Sequence, residues 1–301
     1  MRVGFVALIG RPNAGKSTLV NRVVGTKLAI VSDKPQTTRN RILAVRNYAA
    51  DPAAQVIFVD TPGIHRPLHR MNVRMVEIAF ESFGQVDLIG LVRDATDSLG
   101  AGDRFVLESL EQVAVPVILV LNKIDRIAKP RLLPLIDWYR RQREFAAVVP
   151  VSALTGDGVE SLEREILDRL PEGEPLYPDD FLTDQPERVL AAETVREKVL
   201  RLTHAELPFT TAVVVDRFDE DTEPGLLRLY CSILVERRSQ KPIVIGPGGD
   251  KIRQIGTEAR LDLERFFGTR VFLDLHVKVR PDWRENDHIL DQAGVAPKTR
   301  G

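Results

Sequence analysis

A mostly parallel, six-stranded α/β domain followed by a smaller α+β domain is the fold class that the sequence predicts. Three observations predict it. Short apolar runs near residues 3, 41, 54, 88, 116 and 147 alternate with helix-like runs, the order of a parallel sheet covered on both faces. A stretch rich in turn and breaker residues, 171–186 (PEGEPLYPDDFLTDQP), then separates two halves. Beyond it the order changes to helix, strand, strand, helix, helix, strand, and with 301 residues, 44% of them hydrophobic, the chain can fill two ordinary cores.

The first apolar run, 3–9, ends in Gly10-Arg11-Pro12-Asn13-Ala14-Gly15-Lys16-Ser17, and a helix-like run over 17–24 follows, with Thr18 in its first turn. That is strand, phosphate loop, helix. The glycines let the backbone curl until several N–H groups face phosphate oxygens, Lys16 reaches the β- and γ-phosphates, and Ser17 offers its hydroxyl to Mg²⁺. A polar segment without apolar period, Gln36-Thr37-Thr38-Arg39-Asn40, comes next, and a threonine there, Thr38 in preference to Thr37, would complete the Mg²⁺ shell while γ-phosphate is present.

The run 55–59 ends in Asp60-Thr61-Pro62-Gly63. Asp60 would hold Mg²⁺ through water, and the Gly63 N–H would sense γ-phosphate, which couples nucleotide state to the segment after it. Ile64 stands where Ras-like enzymes place a water-orienting glutamine, so hydrolysis is expected to be slow. His65 is read as a surface residue of a mobile loop rather than as a base.

The buried-strand run 116–121 leads into Asn122-Lys123-Ile124-Asp125. Asp125 would accept from both guanine N1–H and the 2-amino group, a donor pair that adenine lacks, which selects GTP and GDP. Asn122 would hold the loop, and the Lys123 stem would lie along the purine. After the run 147–150, Ser152 and Ala153 would place backbone N–H groups at guanine O6, and a helix over 158–170 would close the domain.

In the second half, a helix-like stretch over 187–204 precedes β-rich runs at 210–218 and 226–236. Gly246-Pro247-Gly248-Gly249 then opens a helical pattern over 251–266, followed by a strand-like run over 271–279. A G-x-x-G in that setting is the KH arrangement, which clamps the backbone of single-stranded RNA. A side chain at Gly246 or Gly249 would hold that backbone away from the helix N-terminus. Lys251 and Arg253, on the loop's own helix, are the first candidates for phosphate contacts, with Arg237, Arg238, Lys241, Lys278 and Arg280 around them.

The spellings GRPNAGKS, QTTRN, DTPG, NKID and VSA, in this order and with a KH arrangement behind them, resemble the bacterial Era family of GTPases across nearly the whole chain. The resemblance implies an Era-type GTP-binding domain over 1–170, a linker over 171–186, a type II KH domain over 187–281 and a C-terminal tail over 282–301. It implies slow, Mg²⁺-dependent GTP hydrolysis that controls RNA binding by the KH domain, with Gln36 to Arg39 and Ile64 as switch residues. The implied partners are the single-stranded 3′ end of 16S rRNA and the 30S subunit, whose assembly and rRNA maturation the protein would assist as a monomer. By the same resemblance Asn13 would help hold K⁺ beside the phosphates, the alternative being that it stabilises the loop. Era-like loops often carry a basic residue within G-x-x-G; here Pro247 and Gly248 fill it and Asp250 follows, which lowers the expected RNA affinity.

Bulk charge lends no help to RNA binding, because 42 basic and 43 acidic residues leave a formal net of −1. One cysteine, Cys231, excludes an internal disulfide, and five scattered histidines form no ligand cluster. The longest apolar run, 113–121, is far below the roughly 20 residues of a membrane helix. Residues 1–9 run into the phosphate loop without a cleavage-like site, so a cytoplasmic protein is expected, with peripheral attachment to the inner membrane face entering by resemblance alone. Two alternatives remain at this stage: a constitutive RNA-binding module whose nucleotide site is structural, and a membrane-associated signalling GTPase. Residues 296–301 are expected to be disordered.

Overall fold

The computed structural model describes residues 1–34, 36–49, 53–65, 69–203, 207–220 and 225–295. The first domain alternates β1 (Arg2–Ile9), α1 (Lys16–Val24), β2 (Ile42–Tyr48), β3 (Ala54–Asp60), α2 (Arg70–Glu81), β4 (Leu88–Asp94), α3 (Ala101–Glu108), β5 (Val117–Asn122), α4 (Leu132–Gln142), β6 (Ala147–Pro150) and α5 (Val159–Leu167). Its sheet runs β2-β3-β1-β4-β5-β6, with only β2 antiparallel to its neighbour. β3, β4 and β5 are buried along their whole length, as strands covered on both faces must be. Alternate residues serve opposite cores: Val6, Leu8, Val56 and Phe58 meet α1 and α5, while Ala7, Ile9, Val59 and Leu91 meet α3 and α4. The strand order reverses at β1, so the loops leaving β1, β3, β4 and β5 open around one crevice.

The second domain comprises α6 (Glu187–Leu202), α7 (Leu207–Thr210), β7 (Thr211–Asp219), β8 (Leu226–Val235), α8 (Lys241–Ile245), α9 (Asp250–Phe267) and β9 (Arg270–Val279). β8 pairs antiparallel with β7 and parallel with β9. Inward residues of all three strands, Val213, Leu229, Ile233 and Val271 among them, meet Val195 and Val199 of α6 and Ile255 and Ala259 of α9. Cys231 lies in this core, where burial pushes its thiol up to about 12. α6 stops at Leu202, and residue 204 of the expected helix lies outside the described residues.

Two segments differ from their expected roles. The linker 171–186 is fastened to the first sheet: the Leu182 carbonyl accepts from Val45 N–H, and the Gln55 side chain bonds the backbone of Leu176 and Tyr177. Tyr177 stacks on Phe181 at 4.5 Å, and both cover Val3, Leu43, Val45 and Ile57. The segment expected as a tail from residue 282 is structured to Val295. It forms a short 3₁₀ turn and α10 (Asp287–Gln292), and it buries Trp283, Leu290 and Val295 in one cluster with Met71 and Met75 of α2 and Ala212, Val214 and Leu234 of the second sheet. Its charged residues hid this in the sequence, because five polar residues separate Trp283 from Ile289 and part of the covering surface belongs to another domain. The expected disorder of 296–301 falls outside the described residues.

Candidate nucleotide site and RNA-binding loop

The loop after β1 curls against the end of β3. Ile64 N–H donates to the Gly10 carbonyl at 3.0 Å, and a Cβ on Gly63 would stand 2.7 Å from Pro12 Cα, so glycine is needed for this approach. Lys16, at the start of α1, folds back with Nζ 3.4 Å from the Gly10 carbonyl and 3.3 Å from that of Arg11. Burial lowers its pKa, partly opposed by the charge of Asp60. A buried cation on the floor of a cleft, with nearby carbonyls as its hydrogen-bond partners, is suited to taking up phosphate.

Three oxygens converge beside it. Ser17 Oγ donates to Asp60 Oδ2 at 2.6 Å and lies 2.7 Å from Thr38 Oγ1. The expected preference for Thr38 agrees with this placement, since the Thr37 hydroxyl turns away and donates to the Lys34 carbonyl at 2.6 Å. Burial pushes the Asp60 carboxyl up to about 6, against the pull of Lys16 and the Ser17 hydrogen bond. Its Oδ1 is buried without a hydrogen-bond partner among the described residues. An orphaned carboxylate oxygen beside two hydroxyls fits Mg²⁺, which Ser17, Thr38 and Asp60 would help to hold. No group of three His, Cys, Asp or Glu side chains gathers as a metal site among the described residues.

At the other end of the crevice Asn122 joins two loops. Its Nδ2 donates to the Ala14 carbonyl at 2.8 Å, and its Oδ1 accepts from Ala153 N–H at 2.9 Å. Ser152 Oγ donates to Asp125 Oδ1 at 2.6 Å, so one carboxylate oxygen is oriented by the neighbouring loop. Lys123, at φ 65°, sends Nζ to Asp94 at 2.6 Å; burial pushes the Asp94 carboxyl up, but its bonds to Lys123 and Thr96 outweigh this and hold it below the ordinary range. Arg22 of α1, which no motif marks, donates to the carbonyls of Ala153 and Leu154 and steadies the same loop. The cleft above the phosphate loop measures about 920 Å³ and is lined by Asn13, Lys16, Ser17, Thr18, Thr38, Gly63 and Lys123 among others, while Asn122, Asp125, Ser152 and Ala153 are not part of its lining.

Ile64 borders this cleft but offers it almost no surface. It is 1% exposed and packs with Ile9, Val59 and Leu91, so the position of the missing glutamine is spent on the core. His65 is half-buried and lines the cleft, a correction to its expected surface position. Its Nδ1 lies 2.8 Å from the Gly63 carbonyl and must donate there. Asn13 uses its amide to donate to the Asp33 carbonyl at 2.7 Å, tying the phosphate loop to the switch segment.

The switch residues are also tied to the second domain. Arg39 is 2% exposed, donates to the Thr211 carbonyl at 2.9 Å, and sits 5.5 Å from the ring centroid of Trp283. Arg196 of α6 donates to the Thr37 carbonyl, and Glu197 accepts from Val31 N–H at 3.0 Å. Arg70 and Arg74 of α2 pair with Asp287. None of these partners carries a motif, because each is an ordinary helical or loop residue until the domains meet.

In the second domain, α8 and α9 are joined by the G-x-x-G loop. Gly246, Gly248 and Gly249 all have positive φ (74°, 56° and 81°), and a Cβ on Gly246 would approach Lys251 N to 2.9 Å. Pro247 and Gly248 are exposed and Lys251 is half-buried at the head of α9. Arg253 Nη1 pairs with Asp250 at 2.8 Å, so the acidic residue that breaks the usual pattern also engages the candidate phosphate ligand.

Comparison with known proteins agrees with both halves. A family model described as a 50S ribosome-binding GTPase matches residues 5–123, and one described as a KH domain matches residues 210–284. The chain is 51% identical to the GTPase Era of Syntrophus aciditrophicus, over 97% of this chain and 94% of that one, and 46% identical to the GTPase Era of Geobacter metallireducens, over 97% of each. It belongs to the Era GTPase family. The crystal structure of Era in complex with MgGDPNP and nucleotides 1506–1542 of 16S ribosomal RNA superposes with a TM-score of 0.94 at 43% identity, covering 99% of this chain and all of that one. An Aquifex aeolicus Era variant bound to GDP·AlF₄⁻ gives 0.93 at 43% identity and the same coverage. Both matches extend over the two domains, so this member of the Era family shares their relative placement as well as their folds.

Proposed function

We propose that this chain hydrolyses GTP in the β1–β3–β5 crevice and uses nucleotide state to set how its KH domain holds the single-stranded 3′ end of 16S rRNA during small-subunit assembly. The observation that carries the reading is the Ser17, Thr38 and Asp60 cluster, whose threonine lies on a segment fastened to the KH domain on both sides. Gly10 to Thr18 would cradle the phosphates, with Lys16 on the β- and γ-phosphates. Mg²⁺, held by Ser17, Thr38 and Asp60, would neutralise charge on the phosphates. The Thr61 hydroxyl donates to the Leu8 carbonyl at 2.9 Å and fastens the start of the turn that carries Pro62 and Gly63, whose N–H would face γ-phosphate. Asp125, Lys123, Ser152 and Ala153 would read guanine. Hydrolysis is slow because Ile64 is buried, and K⁺ at Asn13 would assist it. Gly246 to Gly249 with Lys251 and Arg253 would clamp the RNA backbone.

No helix among the described residues is long and apolar enough to cross a membrane. We place the protein in the cytoplasm, where its nucleotide and rRNA are, acting as a monomer; sedimentation with anionic vesicles tests peripheral attachment. The central experiment is a fluorescence-anisotropy titration of an RNA copying the 16S rRNA 3′ tail, with a scrambled control, under GTP analogue and then GDP. Selective binding that changes with nucleotide is expected. Selective binding indifferent to nucleotide would replace the switch with a constitutive RNA module.

A further inference from the structure

We propose that Arg196, on the first helix of the RNA-binding domain, is a positioning residue of the GTPase site, holding the Thr37 carbonyl so that the next side chain, Thr38, stands over Ser17 and Asp60. The inference rests on the GTPase reading above and deepens it. Arg196 is 1% exposed. Its guanidinium is aimed by Glu193, one turn earlier on α6, through Nε to Oε1 at 2.7 Å and Nη2 to Oε2 at 2.6 Å. The same Nη2 donates to the Thr37 carbonyl, and one residue on, Thr38 Oγ1 lies 2.7 Å from Ser17 Oγ.

The next residue of α6 grips the other end of the segment. Glu197 Oε1 accepts from Val31 N–H at 3.0 Å, while its Oε2 accepts from Lys27 at 2.6 Å and Lys198 at 2.9 Å. Between these grips, Asn13 of the phosphate loop holds the Asp33 carbonyl. Val31 and Thr37 are thus both held by α6, and Thr38 follows directly from the second of these fixed points. Neither end can leave while the second domain stays docked.

Stability alone is a poor reason for this arrangement. Arg196 Nη1 is buried with no hydrogen-bond partner among the described residues. Arg39 is buried close by, and burial together with the charge of Arg196 drives its pKa well below the ordinary guanidinium value. Glu193 is the acid facing this pair, Arg284 adds a further positive charge near Arg39, and that arginine is itself paired with Glu236 at 2.7 Å. Two guanidiniums buried at a domain junction in this way are costly compared with apolar packing of the same volume. What they provide is a fixed backbone position for a switch threonine. A bond that exists only with the domains docked must couple docking to Thr38, and that coupling is reciprocal.

The test uses the full chain and its Arg196→Ala variant, with Arg196→Lys measured beside it. Thr38 would meet the metal only when γ-phosphate is present, so a positioning role predicts discrimination between nucleotides. Affinity for Mg²⁺ with a non-hydrolysable GTP analogue is expected to fall about tenfold in Arg196→Ala, the scale of one charge-assisted hydrogen bond, while affinity for GDP stays within about twofold. Arg196→Lys, which keeps a donor, should recover part of the loss, and it carries the test if Arg196→Ala does not fold. An equal fall for both nucleotides accompanied by a lower Tm would make Arg196 a structural residue only and overturn the proposal, as would an unchanged ratio of the two affinities. If the wild-type chain bound neither nucleotide, the GTPase reading itself would fail instead.

Discussion

Replacing Asp60 with asparagine should abolish hydrolysis and yet stabilise the metal-free protein at neutral pH. Asp60 is fully buried, and its carboxyl is pushed from 3.8 up to about 6 by burial, with Lys16 and the Ser17 hydroxyl offsetting only part of that. A carboxyl whose folded pKa exceeds its unfolded one takes up a proton on folding, so its ionised form costs stability that is lost as pH rises from about 4 to 6. The shift of about 2 units corresponds to about 3 kcal/mol above pH 7. Asparagine removes that cost and keeps an acceptor for Ser17, but it leaves Lys16 without its counter-charge, so a net gain of about 1–2 kcal/mol is expected. In calorimetry with EDTA at pH 7.5 this is a Tm rise of about 2–8 °C. The gain should shrink at pH 5, where folded wild-type Asp60 is largely protonated, and vanish below about pH 4, where the unfolded carboxyl is protonated as well. With saturating Mg²⁺ and GDP the order should reverse, because only the wild type is stabilised by the metal it binds. A gain equally large at pH 5, or a loss at pH 7.5 in EDTA, would refute the account of Asp60 as a buried carboxylate waiting for a cation.

Four further outcomes are expected. Asp125→Asn should lower GDP affinity at least about 100-fold and raise that for xanthosine diphosphate, measured by displacement of a fluorescent nucleotide, because a site built around one donor pair rejects the base that lacks it. Gly249→Asp places an L-residue at φ 81° and a negative charge on the RNA loop; RNA affinity should fall more than about tenfold with GTP hydrolysis intact, and normal RNA binding would remove the clamp assignment. Trp283→Ala empties the centre of the cluster that joins α2 to the second sheet and removes the ring under Arg39; a loss of about 3–5 kcal/mol in chemical unfolding is expected, and a loss below about 1 kcal/mol would mean that the cluster does not hold the domains together. Hydrolysis in K⁺ should exceed that in Na⁺ at equal ionic strength; equal rates would leave Asn13 with its bond to the Asp33 carbonyl as its whole role.

Much of the nucleotide site was legible because its chemistry is local. Each element of it sits within a few residues of a strand end, and the strands' apolar runs are visible as such: Asp60 closes β3, Asn122 closes β5, and the phosphate loop follows β1. The spacing of Gly246 and Gly249 ahead of α9 is equally local. The packed linker was less legible, since Tyr177 and Phe181 lie among prolines and acids whose partners, Val45 and Gln55, are more than 100 residues away. His65 looked like a surface residue because nothing in its neighbours shows that its ring folds back onto the Gly63 carbonyl.

The sequence by itself determined the order of elements, the guanine-type loops, the RNA loop and the family. These depend on short-range backbone geometry and on side chains whose roles are set by their neighbours in the chain. Only the tertiary structure decided that residues 282–295 form part of the core between the domains, that Ile64 faces inward, and that Arg196, Glu197, Arg39 and Trp283 hold the switch segment to the KH domain. The contacts from the switch segment to the KH domain join residues about 160 or more positions apart. A buried arginine is chemically indistinguishable in sequence from a solvated one, and its role is fixed by which carbonyl the fold brings within reach.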